Sequence, residues 1–184
     1  MSIQNKIQQR FYSKQEERIN VLSHGFGLVL SIIGFIFLLL RALENGNSIY
    51  ILSLTIFGLS LILLYAASTL YHSTQEPVAR SRYRTLDMIA IYILIAGSYT
   101  PYALVMLKGI EGWKLFGIMW SIAFVGAIWK IFTTGRYNII STLLYLSMGY
   151  ICLFYINPLL ACLLYTSDAA DDTPCVDLGG RRII

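Results

Sequence analysis

Charge is scarce in this chain. Fourteen Lys and Arg and ten Asp and Glu make up 13% of its 184 residues, against 57% hydrophobic. A water-soluble domain is about a quarter charged, so a soluble globular fold is excluded and an integral membrane protein is indicated. Cysteine is also sparse: Cys152, Cys162 and Cys175 share no paired spacing and no C-x-x-C. That excludes a disulfide framework and a zinc knuckle. The net charge of +4 is spread over short loops with no basic block interleaved with aromatics, so no nucleic-acid partner is expected. No small-residue cleavage site follows the first apolar run, which reads as a retained span rather than a signal peptide.

What is present is a series of uncharged stretches. Residues 19–40, 45–75 and 88–107 contain no Asp, Glu, Lys or Arg, and shorter apolar runs follow from Trp113 to Trp129 and from Ile139 to Ile156. A bilayer core of about 30 Å takes about 20 helical residues, with about 17 near the lower limit. Short linkers favour helices over a barrel, because backbone groups in hydrocarbon must be satisfied within the segment. The fold expected is an all-α polytopic membrane bundle with spans at about 21–40, 49–71, 87–107, 113–130 and 138–156. Residues 1–18 form a polar tail before a membrane domain over 19–161. Gly25, Gly27, Gly34 and Gly97 are expected to admit close helix approach, and Pro101 to kink or end the third span.

Lysine and arginine set the orientation. Lys6, Arg10, Lys14, Arg18, Arg80, Arg82, Arg84, Lys130 and Arg136 fall on one side, and Arg41, Lys108 and Lys114 on the other. The positive-inside rule places the N-terminus in the cytoplasm, with the plasma membrane as the location. A sixth apolar run starts at 159 and gives way to "TSDAADDTPCVDLGGRRII", which holds four of the ten acidic residues. By composition, residues 162–184 are expected to be a non-native tail on a chain truncated after five spans.

Ionisable residues within spans are expensive and usually functional. Here they are His24, His72 and Asp87, accompanied by Asn20 and Ser68. Span one starts inside with Asn20 and His24; span two returns with Ser68 and His72; span three leaves with Asp87. Three separate segments therefore bring these side chains to one membrane depth. The i, i+4 spacing of Ser68 and His72, and of Asn20 and His24, puts each pair on one helix face. An imidazole is a good zinc ligand, a carboxylate can orient or deprotonate water, and a serine can hydrogen-bond either. Only two histidines are present, however, and no H-x-x-x-H. The site looks half built.

Three ordered motifs resemble a known family. "ERINVLSHGFG" (17–27) fits the opening E-x-x-N-x-x-x-H-x-x-G of the progestin and adipoQ receptor superfamily, whose bacterial branch is hemolysin III. "STLYH" (68–72) and "LDMIAIYILIAGSYTP" (86–101) continue the likeness in order, over roughly residues 12–160. The resemblance implies seven helices, of which five are present here, and a zinc ion near the cytoplasmic side. It implies that His72 ligates the metal, with Ser68 and Asp87 the catalytic residues around the water it binds. Two further ligands would come from an H-x-x-x-H at the start of a seventh helix. Glu17, Asn20 and His24 form a supporting network in this reading.

The activity implied is zinc-dependent hydrolysis of membrane lipid amides, or another role in membrane-lipid homeostasis. A cytolytic, pore-forming protein and a receptor-like protein with structural zinc are the alternatives. Zinc is expected in the full-length protein and absent from this chain alone. Membrane lipid is the expected partner, and the oligomeric state is left open.

Overall fold

The computed structural model describes residues 13–107, 109–133 and 137–156. The start of a sixth span at 159 and the tail at 162–184 lie outside the described residues, as do Lys6, Arg10, Lys108 and Arg136. Among the described residues there is no strand. Five helices are long and apolar enough to cross a membrane.

Helix α1 covers Lys14–Asn45. Its start is set by a capping box, in which Ser13 Oγ accepts from the Glu16 amide at 3.2 Å and Glu16 accepts from the Ser13 amide at 2.7 Å. Gly46 ends it in the left-handed region at φ 70°. One residue later Asn47 caps α2 (Ser48–Ser73), its side-chain oxygen accepting from the amides of Ile49 and Tyr50. That turn makes α1 and α2 an antiparallel hairpin. Glu76 then caps α3, and Pro77 occupies its first turn, where a missing N–H is harmless. The amides of Ala79 and Val78 hold the Glu76 carboxyl below its ordinary range.

Helix α3 runs Pro77–Pro101, starting ten residues before the expected third span. The reason is this cap: the chain is helical as soon as Pro77 allows, so Arg80, Arg82 and Arg84 sit on the helix rather than in a loop. At Pro101 the expected interruption appears. The regular α-helix stops and Tyr102–Leu107 continues as a wider π-helical turn, a local change that accommodates a broken i→i−4 bond. Gly109, at φ 56°, opens the way into α4 (Gly109–Thr133). Helix α5 covers Asn138–Tyr150 and tightens into a 3₁₀ segment over Ile151–Tyr155.

Helix α3 is the centre of the bundle, touching α2, α4 and α5. Its core positions Tyr92 and Ala96, with Ala103 of the π-helical turn, pack with Leu115, Met119 and Ala123 of α4 and Met148 of α5. Small residues bring the backbones together, as membrane helices require. Gly97 faces Ser60 and Gly27 faces the Tyr65 ring, so a Cβ at either position would collide. Gly25 and Gly34, expected to serve the same purpose, have nothing within 4 Å of where a Cβ would stand. Gly34 borders an open cleft between α1 and α2 rather than a close contact. Gly58 against Phe35 and Gly126 against Tyr92 take that role instead. The outward faces are apolar: Leu22, Phe26, Phe37, Phe132 and Phe154 are all exposed, as lipid-facing side chains are.

Candidate functional site

The turn between α2 and α3 closes one end of the bundle, and α1 begins at the same end. Every polar residue singled out from the sequence is found here. Glu17, Asn20 and His24 come from the first three turns of α1, Ser68 and His72 from the last turns of α2, and Asp87 from the third turn of α3. Glu17, Ser68 and His72 are buried, and the other three are half-buried.

The geometry is specific. His72 Nδ1 lies 2.8 Å from Glu17 Oε2, and Asn20 Nδ2 stands 3.5 Å from the same ring nitrogen. With Nδ1–H donating to the carboxylate, the neutral ring is held in the tautomer whose lone pair is on Nε2. A carboxylate behind an imidazole in this way orients the ring. The His24 ring stacks on His72, with centroids 5.4 Å apart and planes 2° apart. Ser68 stands beside the Asp87 carboxylate, which faces both imidazoles. Glu17, assigned to the supporting network by its motif, is therefore in direct contact with His72.

One member was missed. Arg80 reads in the sequence as one of nine topology-setting cations, yet it is 1% exposed. Its Nη2 donates to Glu17 Oε1, and its Nη1 donates to the carbonyls of Thr74 at 3.0 Å and Tyr71 at 3.3 Å. Its guanidinium carbon also sits 4.6 Å from the centroid of the Tyr71 ring. Arg80 thus ties Glu17 to the C-terminal carbonyls of α2, a placement the helix dipole favours. The signal was available: 80, 84 and 87 follow i, i+4, i+7, placing Arg80 on the Asp87 face once α3 starts at Pro77.

Beside this network a cleft of about 710 Å³ opens between α1 and the end of α2. Glu17 and His72 form one wall, and Lys14, Arg18, Val21 and Leu22 line the α1 side.

These residues do not make a whole metal centre. Among the described residues, no group of three or more His, Cys, Asp and Glu is placed to hold an ion. A catalytic zinc needs three protein ligands. His72 offers one imidazole and Asp87 one carboxylate. The described donor set does not fit zinc without ligands from elsewhere.

The family model described as haemolysin-III related matches residues 12–176. This chain belongs to the haemolysin III family. The matched span runs beyond residue 161, into the stretch that composition sets apart. Hemolysin-3 of Bacillus cereus is 42% identical over 145 residues, covering 79% of this chain and 66% of that protein. The Hemolysin-3 homolog of Bacillus subtilis (strain 168) is 42% identical over 152 residues, covering 83% and 71%. At greater distance, the human Monocyte to macrophage differentiation factor is 25% identical over 140 residues, covering 73% and 58%. This last likeness carries the haemolysin III chain into the wider progestin and adipoQ receptor superfamily. The chain spans about two thirds of the length of the Bacillus relatives. No solved structure matches it.

Proposed function

We propose that this haemolysin III chain is the greater part of a membrane-embedded hydrolase acting on lipid amides. The observation that carries the reading is the convergence of Asp87, Ser68 and His72, from two helices, at one end of an apolar bundle. Amide hydrolysis needs a group that takes a proton from the attacking water and returns it to the departing nitrogen. Asp87 is that group. Ser68 donates to its carboxylate and fixes which oxygen faces the reacting water, while Glu17 and Arg80 hold His72 in position.

Zinc is the cofactor we assign to the complete protein. His72 is one of its ligands, and the other donors come from outside the described residues. The nine-to-three bias of cations between the two sets of loops in the sequence supports a cytoplasmic N-terminus and a site facing the inner leaflet of a bacterial plasma membrane. The names of the Bacillus relatives point to a cytolytic role, but a pore needs polar side chains along whole spans. Here the ionisable side chains singled out from the spans gather at one end, and the outward faces of the helices are apolar.

The test is hydrolysis of an N-acyl lipid, in nanodiscs supplied with zinc, by a haemolysin III protein that supplies the remaining metal ligands. Asp87→Asn keeps the shape and removes the proton acceptor, so activity is expected to fall by about 100-fold or more. Full activity in that variant would rule out the assignment. A receptor-like protein with structural zinc would show no hydrolysis in either form.

A further inference from the structure

The cleft beside His72 has an order along α1. Lys14 and Arg18 are four residues apart, and so share a helix face at the mouth. Val21 and Leu22 follow one turn further along α1, with Leu22 open to the lipid side. Glu17 lies between the two cations in sequence, but its carboxylate is committed to Arg80 and His72. Lys14 and Arg18 therefore set the sign of the cleft, and that sign is positive.

Positive at the start of α1 and apolar one turn further into the membrane is the order of an anionic lipid lying along the helix: phosphate first, then the acyl linkage, then the chain. His72 lines the cleft together with both pairs, on the wall where the linkage would lie. We propose that this cleft binds a phosphate-bearing lipid, with its phosphate on Lys14 and Arg18 and its chain against Val21 and Leu22. The inference deepens the hydrolase reading and rests on it only for what happens to the linkage; binding stands by itself. It narrows the substrate class from lipid amides in general to those with an anionic headgroup.

The experiment uses the full chain in mild detergent, with phosphatidylglycerol and phosphatidylcholine offered in equal amounts and bound lipid counted by native mass spectrometry. Phosphatidylglycerol is expected to be retained in preference. Lys14→Gln with Arg18→Gln is expected to lower that retention roughly 30-fold, since each cation near a lipid phosphate is worth about fivefold. Arg82→Gln removes an exposed cation at the same end but outside the cleft, and is expected to change retention less than twofold. Equal loss in the Arg82 variant would mean diffuse surface charge and overturn the proposal. Displacement of the lipid by millimolar inorganic phosphate would also overturn it, because the occupant would then be a free anion. Deletion of 162–184, which carries Asp168, Asp171, Asp172 and Asp177, is expected to leave retention unchanged; a large gain would assign the cleft to that acidic segment instead. In a haemolysin III protein that supplies the remaining metal ligands, Asp87→Asn is expected to abolish hydrolysis and keep the lipid, which separates failure of the enzyme reading from failure of this one.

Discussion

Glu17 and His72 are 55 positions apart in the chain and 2.8 Å apart in space. The other oxygen of the same carboxylate receives Arg80, so one side chain of α1 joins the end of α2 to the start of α3. All three residues are buried. In hydrocarbon surroundings such a triad is stable only when every charge is matched.

Removal of the carboxylate should therefore be expensive. Glu17→Ala leaves the Arg80 guanidinium buried without its counter-charge, a change that typically costs about 3–5 kcal/mol. Unfolding of the detergent-solubilised protein by heat or SDS would show it as a large drop in midpoint. Replacing Glu17 and Arg80 together by methionine should cost much less than the sum of the two single changes. An alanine variant within 1 kcal/mol of the parent would mean that the ion pair is not formed.

Glycine positions sort into two groups. Gly27→Leu and Gly97→Val push side chains into Tyr65 and Ser60, and each is expected to destabilise by about 1–3 kcal/mol through overpacking. Gly25→Ala and Gly34→Ala meet open space and gain helix propensity of about 1 kcal/mol. Parallel melting curves of the four variants decide the matter, and a reversed ranking would contradict the α1–α2 packing.

The span pattern was legible because charge marks the ends of each apolar run, and so was the meeting of Asn20, His24, Ser68, His72 and Asp87, which follows from counting spans. What could not be read was pairing within the cluster. Nothing in the spacing says that Glu17 meets His72 rather than water, because that contact depends on the rotation of α1 about its own axis. Arg80 was hidden for a related reason: while the third span was placed from residue 87, its cation belonged to a loop. Only the Glu76–Pro77 cap, by starting α3 early, turns Arg80 inward.

Topology can be checked directly. Reporters fused after residue 10, at Gln75 and at Gly135 are expected on the cytoplasmic side, and reporters at Gly46 and Gly109 on the other. The reverse pattern would put the polar cluster in the outer leaflet.

Metal content follows from the donor count. The 184-residue chain, with two histidines in all, is expected to purify with far less than one zinc per chain by elemental analysis. In a haemolysin III protein that supplies the remaining ligands, zinc should approach one per chain, His72→Ala should remove it, and His24→Ala should leave most of it. Stoichiometric zinc in the His72→Ala form would sink the ligand assignment.

Three tyrosines fasten α5 to α3. Tyr99 OH shares its proton between the carbonyls of Met148 and Gly149 and accepts from the Cys152 amide; Tyr102 OH donates to the Tyr155 carbonyl, and Tyr145 OH to that of Met88. In each case a phenol grips peptide backbone, which every amino acid supplies alike. Mutational drift on the outer surface of α5 can then proceed without loosening its seat, whereas the three phenols themselves are not exchangeable for phenylalanine. Divergent members of such a lineage would keep the hydroxyls and vary what they hold.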